Sequence, residues 1–76
     1  MSINGEIVVF GRTNPVCPYC ENLKNLFEVK SVEYTYKDIS DEEHFLEFSK
    51  YRLRTVPAVF VDGVYVGGFT EVSKLF

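Results

Sequence analysis

The hydrophobic period of this chain switches from strand-like to helix-like and back, and that order restricts the fold more than any other feature. Glu6-Ile7-Val8-Val9-Phe10 is a short β-branched apolar run closed by Gly11, the pattern of a strand buried on both faces. Gly11 to Val16 reads as a polar, Pro-containing loop. From Pro18 onward, Tyr19, Leu23, Leu26, Phe27 and Lys30 recur at three- and four-residue steps, which predicts a helix with one apolar stripe. Pro18 suits the first turn of that helix, where a missing N–H costs nothing. Val32 to Ile39, rich in Val, Tyr and Thr, reads as a second strand. Strand, helix and strand in this order call for a parallel pair joined by a right-handed crossover.

The remainder adds two strands and two helices. Ser40-Asp41-Glu42-Glu43 is a capping-box pattern with acids in the first turn, where the helix dipole favours them. Phe45, Leu46, Phe48 and Leu53 then predict a less regular amphipathic helix to about Tyr51. Ala58-Val59-Phe60-Val61 and Val64-Tyr65-Val66 read as strands joined by Asp62-Gly63, a favoured hairpin turn. Gly67-Gly68 breaks the pattern before a short terminal helix over 69–76. The order β-α-β-α-β-β-α predicts an α/β fold, a four-stranded mixed sheet with helices on both faces. No internal repeat or linker interrupts it, so residues 1–76 read as a single domain.

Two cysteines are too few for the disulfide framework of a small secreted scaffold, so apolar side chains must supply the core. A net charge of -3 argues against nucleic acid as a partner, because a phosphate footprint needs clustered Lys and Arg. No apolar run approaches the roughly 20 residues of a membrane span. Met1-Ser2-Ile3-Asn4-Gly5-Glu6 does not have the basic and apolar regions of a signal peptide, which points to the cytoplasm. In a reducing compartment, close-spaced cysteines bind metal or exchange electrons more often than they brace structure.

Cys17 and Cys20 form a C-x-x-C at the start of a helix behind a strand, the arrangement of thioredoxin-like redox proteins. At the helix start, unpaired N–H groups and the dipole stabilise an anion, and cysteines so placed have pKa values of roughly 3.5–7.5. Cys17 is thus expected to be the nucleophile. Cys20, inside the first turn, should be more buried and act as the resolving thiol. Arg12 in the preceding loop would add positive charge. A zinc site is the competing reading. It usually needs four ligands, and these two Cys with the distant His44 would complete one only in a dimer. A purely structural disulfide gains little from so short a loop.

Cys17-Pro18-Tyr19-Cys20 behind Val9-Phe10-Gly11-Arg12, Thr55-Val56-Pro57, and Gly67-Gly68-Phe69-Thr70-Glu71 together resemble the active-site motif, the TVP segment and the double-glycine turn of dithiol glutaredoxins. The three blocks stand in the family's order, and the resemblance covers nearly the whole chain. It implies a thioredoxin-like fold, a cis Pro57, and a glutathione-dependent thiol-disulfide oxidoreductase acting on protein disulfides and protein–glutathione mixed disulfides. The glutathione groove it implies contains Arg12, Tyr19, Thr55, Val56, Pro57, Gly68, Phe69, Thr70 and Glu71. In that groove Val56 would pair through its backbone with the cysteinyl part of glutathione, in the manner of an added strand. Phe69 and Thr70 would offer N–H groups to the γ-glutamyl carboxylate, and Glu71, where the family often has Asp, would receive the α-amino group. Arg12 would meet the glycyl carboxylate.

The same resemblance implies glutathione as reducing co-substrate, no permanently bound cofactor or metal, a monomer, and ribonucleotide reductase among the candidate clients. Reduction by thioredoxin reductase, and an iron–sulfur carrier built on Cys17 and glutathione from two chains, are rival readings. The double-glycine segment speaks against the first and Pro18 against the second. Three features depart from the family pattern. Thr13-Asn14-Pro15-Val16 lengthens the loop before Cys17, which bears on Arg12. Ala58 replaces a longer polar residue, and the terminal helix is short.

Overall fold

A computed structural model of the protein describes residues 5–13 and 17–75. The elements are β1 (Ile7–Gly11), α1 (Pro18–Val29), β2 (Thr35–Asp38), α2 (Glu42–Ser49), β3 (Ala58–Val61), β4 (Val64–Gly67) and α3 (Phe69–Ser73). They form one four-stranded sheet in the order β2-β1-β3-β4, with β1 parallel to β2 and the other neighbours antiparallel. The α/β order expected from the sequence is the order found.

Alternation along the central strands divides the core in two. Ile7, Val9 and Val59 point to one face and pack with Leu23 and Phe27 of α1 and Val72 of α3. Phe10, Ala58 and Phe60 point to the other and pack with Phe48 of α2. Successive strand side chains face opposite ways, so a strand covered on both sides has to be apolar throughout. Helices α1 and α3 therefore share one face of the sheet, and α2 covers the other.

Several boundaries differ from the periodicity. β2 begins at Thr35 and not at Val32, because the end of α1 takes up the intervening backbone. Ser31, at φ 55, lets the Ser31 N–H reach the Glu28 carbonyl at 3.1 Å and the Val32 N–H reach that of Phe27 at 2.8 Å. This is a Schellman closure, with Val32 folded back onto the core. The cap of α2 is Asp41 and not Ser40: Asp41 Oδ1 accepts the Glu43 N–H at 2.9 Å, while the Ser40 N–H donates to Asp38 Oδ1 at 2.9 Å. The Asp38 turn engages Ser40 one residue too early for it to cap.

Helix α2 stops at Ser49, and of its predicted stripe only Phe48 is buried; Phe45 and Leu46 are exposed and Leu53 is half-buried beyond the helix. Tyr19 likewise leaves the buried stripe of α1, at 60% exposed. The terminal helix ends at Ser73 with Lys74 as its cap. Asn14 to Val16 of the lengthened loop, and Phe76, lie outside the described residues.

Candidate functional site

Both cysteines are set at the head of α1, the element that follows β1 in the chain. Cys17 is the N-cap, with extended backbone at φ -113 and ψ 106, and Pro18 opens the helix. The Cys17 carbonyl accepts the first helical bond, from the Glu21 N–H at 3.0 Å. Cys17 Sγ accepts the Cys20 N–H at 3.2 Å, the position a capping oxygen usually takes. A thiolate there would receive the same N–H together with the positive end of the helix. The two residues are joined as a disulfide, with Cα atoms 5.2 Å apart. Both residues are buried, Cys20 fully and Cys17 to 4% exposed, so Cys17 is the nearer of the two to the surface.

Beside Cys17 runs the segment before β3. The Val56–Pro57 peptide is cis, and the Val56 carbonyl oxygen is 3.9 Å from Cys17 Sγ. Across from it, β4 ends in Gly67-Gly68 and turns into α3. Gly67 has φ 128, open to glycine at little cost. Glu71 Oε1 accepts the Gly68 N–H at 2.8 Å, closing the turn from its own helix. Gly68 has no side chain to return the bond, so this is one half of a capping box.

Between these walls lies a cavity of about 270 Å³ lined by Tyr19, Thr55, Val56, Pro57, Gly68, Phe69, Thr70 and Glu71. The Tyr19 and Phe69 rings approach to 6.3 Å between centroids. These are the groove residues expected from the sequence, with one exception. Arg12 is not among them; it stands at the exit of β1, half-buried, and its carbonyl accepts the Tyr36 hydroxyl at 3.4 Å. His44 is also engaged elsewhere, with Nδ1 3.2 Å from the Asp38 carbonyl. Ala58 is fully buried in the α2-side core. A larger cavity, of about 590 Å³, is lined by residues 5–7 and 32–35. It sits at the N-terminal ends of β1 and β2, the end of the sheet opposite Cys17, and neither cysteine lines it.

Tyr36 is the residue the sequence does not single out. Its ring occupies the space a side chain on Gly11 would need. Lys24 Nζ sits 4.1 Å above the same ring and pairs with Glu21 at 3.2 Å. Burial raises the Tyr36 pKa against the opposing pull of Lys24. For Lys24, burial acts to lower the pKa, but the Glu21 hydrogen bond and the nearby tyrosines carry it upward. Together these contacts hold the backbone of Gly11 and Arg12 where the chain leaves the sheet for the cysteine loop. A glycine at the end of a strand was the one available signal. Among the described residues, no group of three or more His, Cys, Asp and Glu is placed to hold a metal ion.

The family model described as Glutaredoxin matches residues 7–66, from the first residue of β1 to within one residue of the end of β4. The chain belongs to the glutaredoxin family. It is 37% identical to glutaredoxin 1 of Escherichia coli, over 90% of this chain and 88% of that protein. It is 34% identical to the mitochondrial glutaredoxin-2 of Bos taurus, over 95% of this chain, and spans about half of that relative, 48%. Among solved structures, a buckwheat glutaredoxin–glutathione complex superposes with a TM-score of 0.73 at 30% identity, covering 90% of this chain and 64% of that one.

Proposed function

We propose that this glutaredoxin is a glutathione-dependent thiol-disulfide oxidoreductase that reduces protein disulfides and protein–glutathione mixed disulfides, with Cys17 as nucleophile and Cys20 as resolving thiol. The observation that carries the reading is the groove: a cavity lined by both the Thr55-Val56-Pro57 wall and the Gly68–Glu71 turn, with the Val56 carbonyl 3.9 Å from Cys17 Sγ. The buckwheat glutaredoxin was solved as a complex with glutathione, which supports the same occupant here.

In the oxidised form, a glutathione thiolate attacks Cys17 Sγ, and the Cys17–Cys20 bond breaks with Cys20 leaving as a thiolate that takes up a proton. A second glutathione thiolate attacks the glutathione sulfur bound to Cys17. Glutathione disulfide departs and Cys17 is left as a thiolate, stabilised by the Cys20 N–H and the start of α1. The Cys17 thiolate then attacks a client disulfide, and Cys20 resolves the mixed disulfide, so two electrons pass from two glutathiones to the client. With a glutathionylated client, Cys17 takes the glutathione itself and Cys20 is not needed.

The groove divides recognition between its walls. Val56 would pair through its backbone with the cysteinyl part of glutathione. Phe69 and Thr70, in the first turn of α3, have N–H groups without intrahelical acceptors for the γ-glutamyl carboxylate. Glu71 already accepts the Gly68 N–H through Oε1, which leaves Oε2 to receive the α-amino group. Tyr19 and Phe69 supply the apolar lining. Ribonucleotide reductase as a client, action as a monomer, and a cytoplasmic location complete the proposal; among the described residues no helix is long and apolar enough to cross a membrane.

A glutathione-coupled assay on a small mixed disulfide, run with both single-cysteine variants, tests the assignment. Cys17→Ser is expected to abolish turnover. Cys20→Ser should retain reduction of the mixed disulfide and lose reduction of a protein disulfide. Normal rates for Cys17→Ser would overturn the roles. Reduction by NADPH and thioredoxin reductase in place of glutathione would overturn the choice of reductant.

A further inference from the structure

Strand β2 lies at the edge of the sheet, and its side chains alternate between the two faces. Lys37 points to the α2 side, where it pairs with Glu47 at 2.9 Å. Tyr36 points to the other side and packs on the Ile7–Leu23–Phe27 core under α1; Asp38, two residues on, shares that face. The register sets Asp38 beside Gly11, and the Ile39 N–H donates to the Gly11 carbonyl at 2.8 Å. Both side chains therefore end where β1 leaves the sheet on its way to the cysteines.

Tyr36 is tied to the chain on both sides of the cysteine loop. Before the loop, its ring fills the space over Gly11, where an added methyl group would lie 2.6 Å from Cζ. Its hydroxyl donates to the Arg12 carbonyl at 3.4 Å and is in hydrogen-bonding contact with the Thr13 hydroxyl. The Asp38 carboxylate accepts from the Thr13 N–H and hydroxyl, so Gly11, Arg12 and Thr13 are all held from β2. After the loop, the same ring lies 4.1 Å below Lys24 Nζ, and Lys24 pairs with Glu21 at 3.2 Å. Glu21 in turn gives its N–H to the Cys17 carbonyl. One side chain thus joins the exit of β1 to the first turns of the helix that carries Cys17.

These ties bear on some contacts of the sulfur and not on others. The Cys20 N–H that donates to Cys17 Sγ belongs to α1 and moves with it. The Val56 carbonyl, 3.9 Å from the same sulfur, belongs to the groove wall before β3, so its distance depends on how α1 sits against the sheet. A misplacement of about 1 Å can slow a reaction by roughly two orders of magnitude.

Resting on the oxidoreductase reading above, we infer that Tyr36 is a positioning residue for the Cys17 reaction: with Asp38 it clamps the exit of β1 to the head of α1 and so places Cys17 Sγ against the Val56 wall for attack on a glutathione mixed disulfide. Tyr36 does not line the groove and acts through the placement of α1.

The test compares two reactions of Cys17, each measured below the unfolding transition of the variant. One is glutathione-coupled reduction of a glutathionylated peptide, which needs the groove. The other is alkylation of Cys17 by iodoacetamide across pH, followed by mass, which needs only the thiolate. Tyr36→Phe removes the hydroxyl contacts and should lower kcat/KM for the peptide about threefold. Tyr36→Leu also removes the ring beneath Lys24 and should lower it about tenfold. In both variants the alkylation rate and its pH midpoint should stay at the parent values, because the Cys20 N–H contact is internal to α1. If Tyr36→Leu does not fold, Tyr36→Phe combined with Lys24→Met removes the same two ties while keeping the ring and the stem, with the same tenfold loss expected. Parent-level turnover in the variant that removes both ties overturns this inference alone, as does a loss of alkylation in step with turnover. A parent inert on the glutathionylated peptide overturns the oxidoreductase reading and this inference with it.

Discussion

Two glycines with positive φ isolate the cost of the turn that builds one wall of the groove. Gly63, in the β3–β4 hairpin, has φ 82, and a methyl group placed on it meets nothing within 4 Å. Gly67, at the end of β4, has φ 128, and the same methyl would lie 2.6 Å from Glu71 Cβ and 2.8 Å from Glu71 Cγ. Gly63→Ala should therefore cost only the left-handed backbone penalty, about 1–2 kcal/mol. Gly67→Ala combines a sparsely populated backbone region, roughly 1–3 kcal/mol, with overpacking against a part of Glu71 that cannot swing aside, about 1–3 kcal/mol more.

The expected gap between the two variants is about 2 kcal/mol, which for a domain of this size separates their melting temperatures by roughly 10 °C. Thermal and urea unfolding of both variants in the same oxidation state measures it. Displacing Glu71 also releases the Gly68 N–H, so at temperatures where both variants are folded only Gly67→Ala should raise KM for a glutathione mixed disulfide. Equal unfolding midpoints for the two variants would refute the argument that Glu71 and Gly67 share one packed turn.

Other consequences follow from the core, the caps and the acid limb of stability. Phe27, fully buried between α1 and the sheet, should cost about 3–5 kcal/mol on substitution by Ala, enough to leave a domain of this size largely unfolded in a urea titration. Asp41→Ala removes the α2 cap and should lower stability by about 1 kcal/mol with no loss of turnover at low temperature. The Asp38 carboxylate is held below its ordinary value of 3.8, first by the Ser40 N–H and then by the Thr13 hydroxyl. A depressed folded pKa contributes stability above the unfolded value that is lost as pH falls through the folded one. Asp38→Asn should therefore flatten the acid limb of the unfolding midpoint below about pH 4, measured against the parent at matched ionic strength.

Much of the fold was legible because its signals are local. The β-branched run of β1, the Pro18 start of α1 and the Asp62-Gly63 hairpin each state their own conformation, and both hairpin residues do take positive φ, 51 and 82. The limits of β2 and α2 were not legible, since each depends on a hydrogen-bond competition between segments: Val32 drawn back to Phe27, and Ser40 taken by Asp38. Periodicity also assigned Tyr19 and Phe45 to buried stripes. The sheet has room under α1 for Leu23 and Phe27, and under α2 for Phe48, so the other two rings remain outside.

The spacing of Cys17 and Cys20, and Pro18 between them, determined by themselves that a sulfur would cap a helix, because capping depends on residues only three apart. Three separate motifs also named the residues of the groove. What only the tertiary structure decided is that Thr55-Val56-Pro57 and Gly68–Glu71 close on one cavity beside Cys17 while Arg12 stays at the strand exit under Tyr36. Those distances are set by the antiparallel register of β3 against β1 and β4, and by a ring filling the space above Gly11. Both arise between residues far apart in the chain, where sequence spacing carries no geometry.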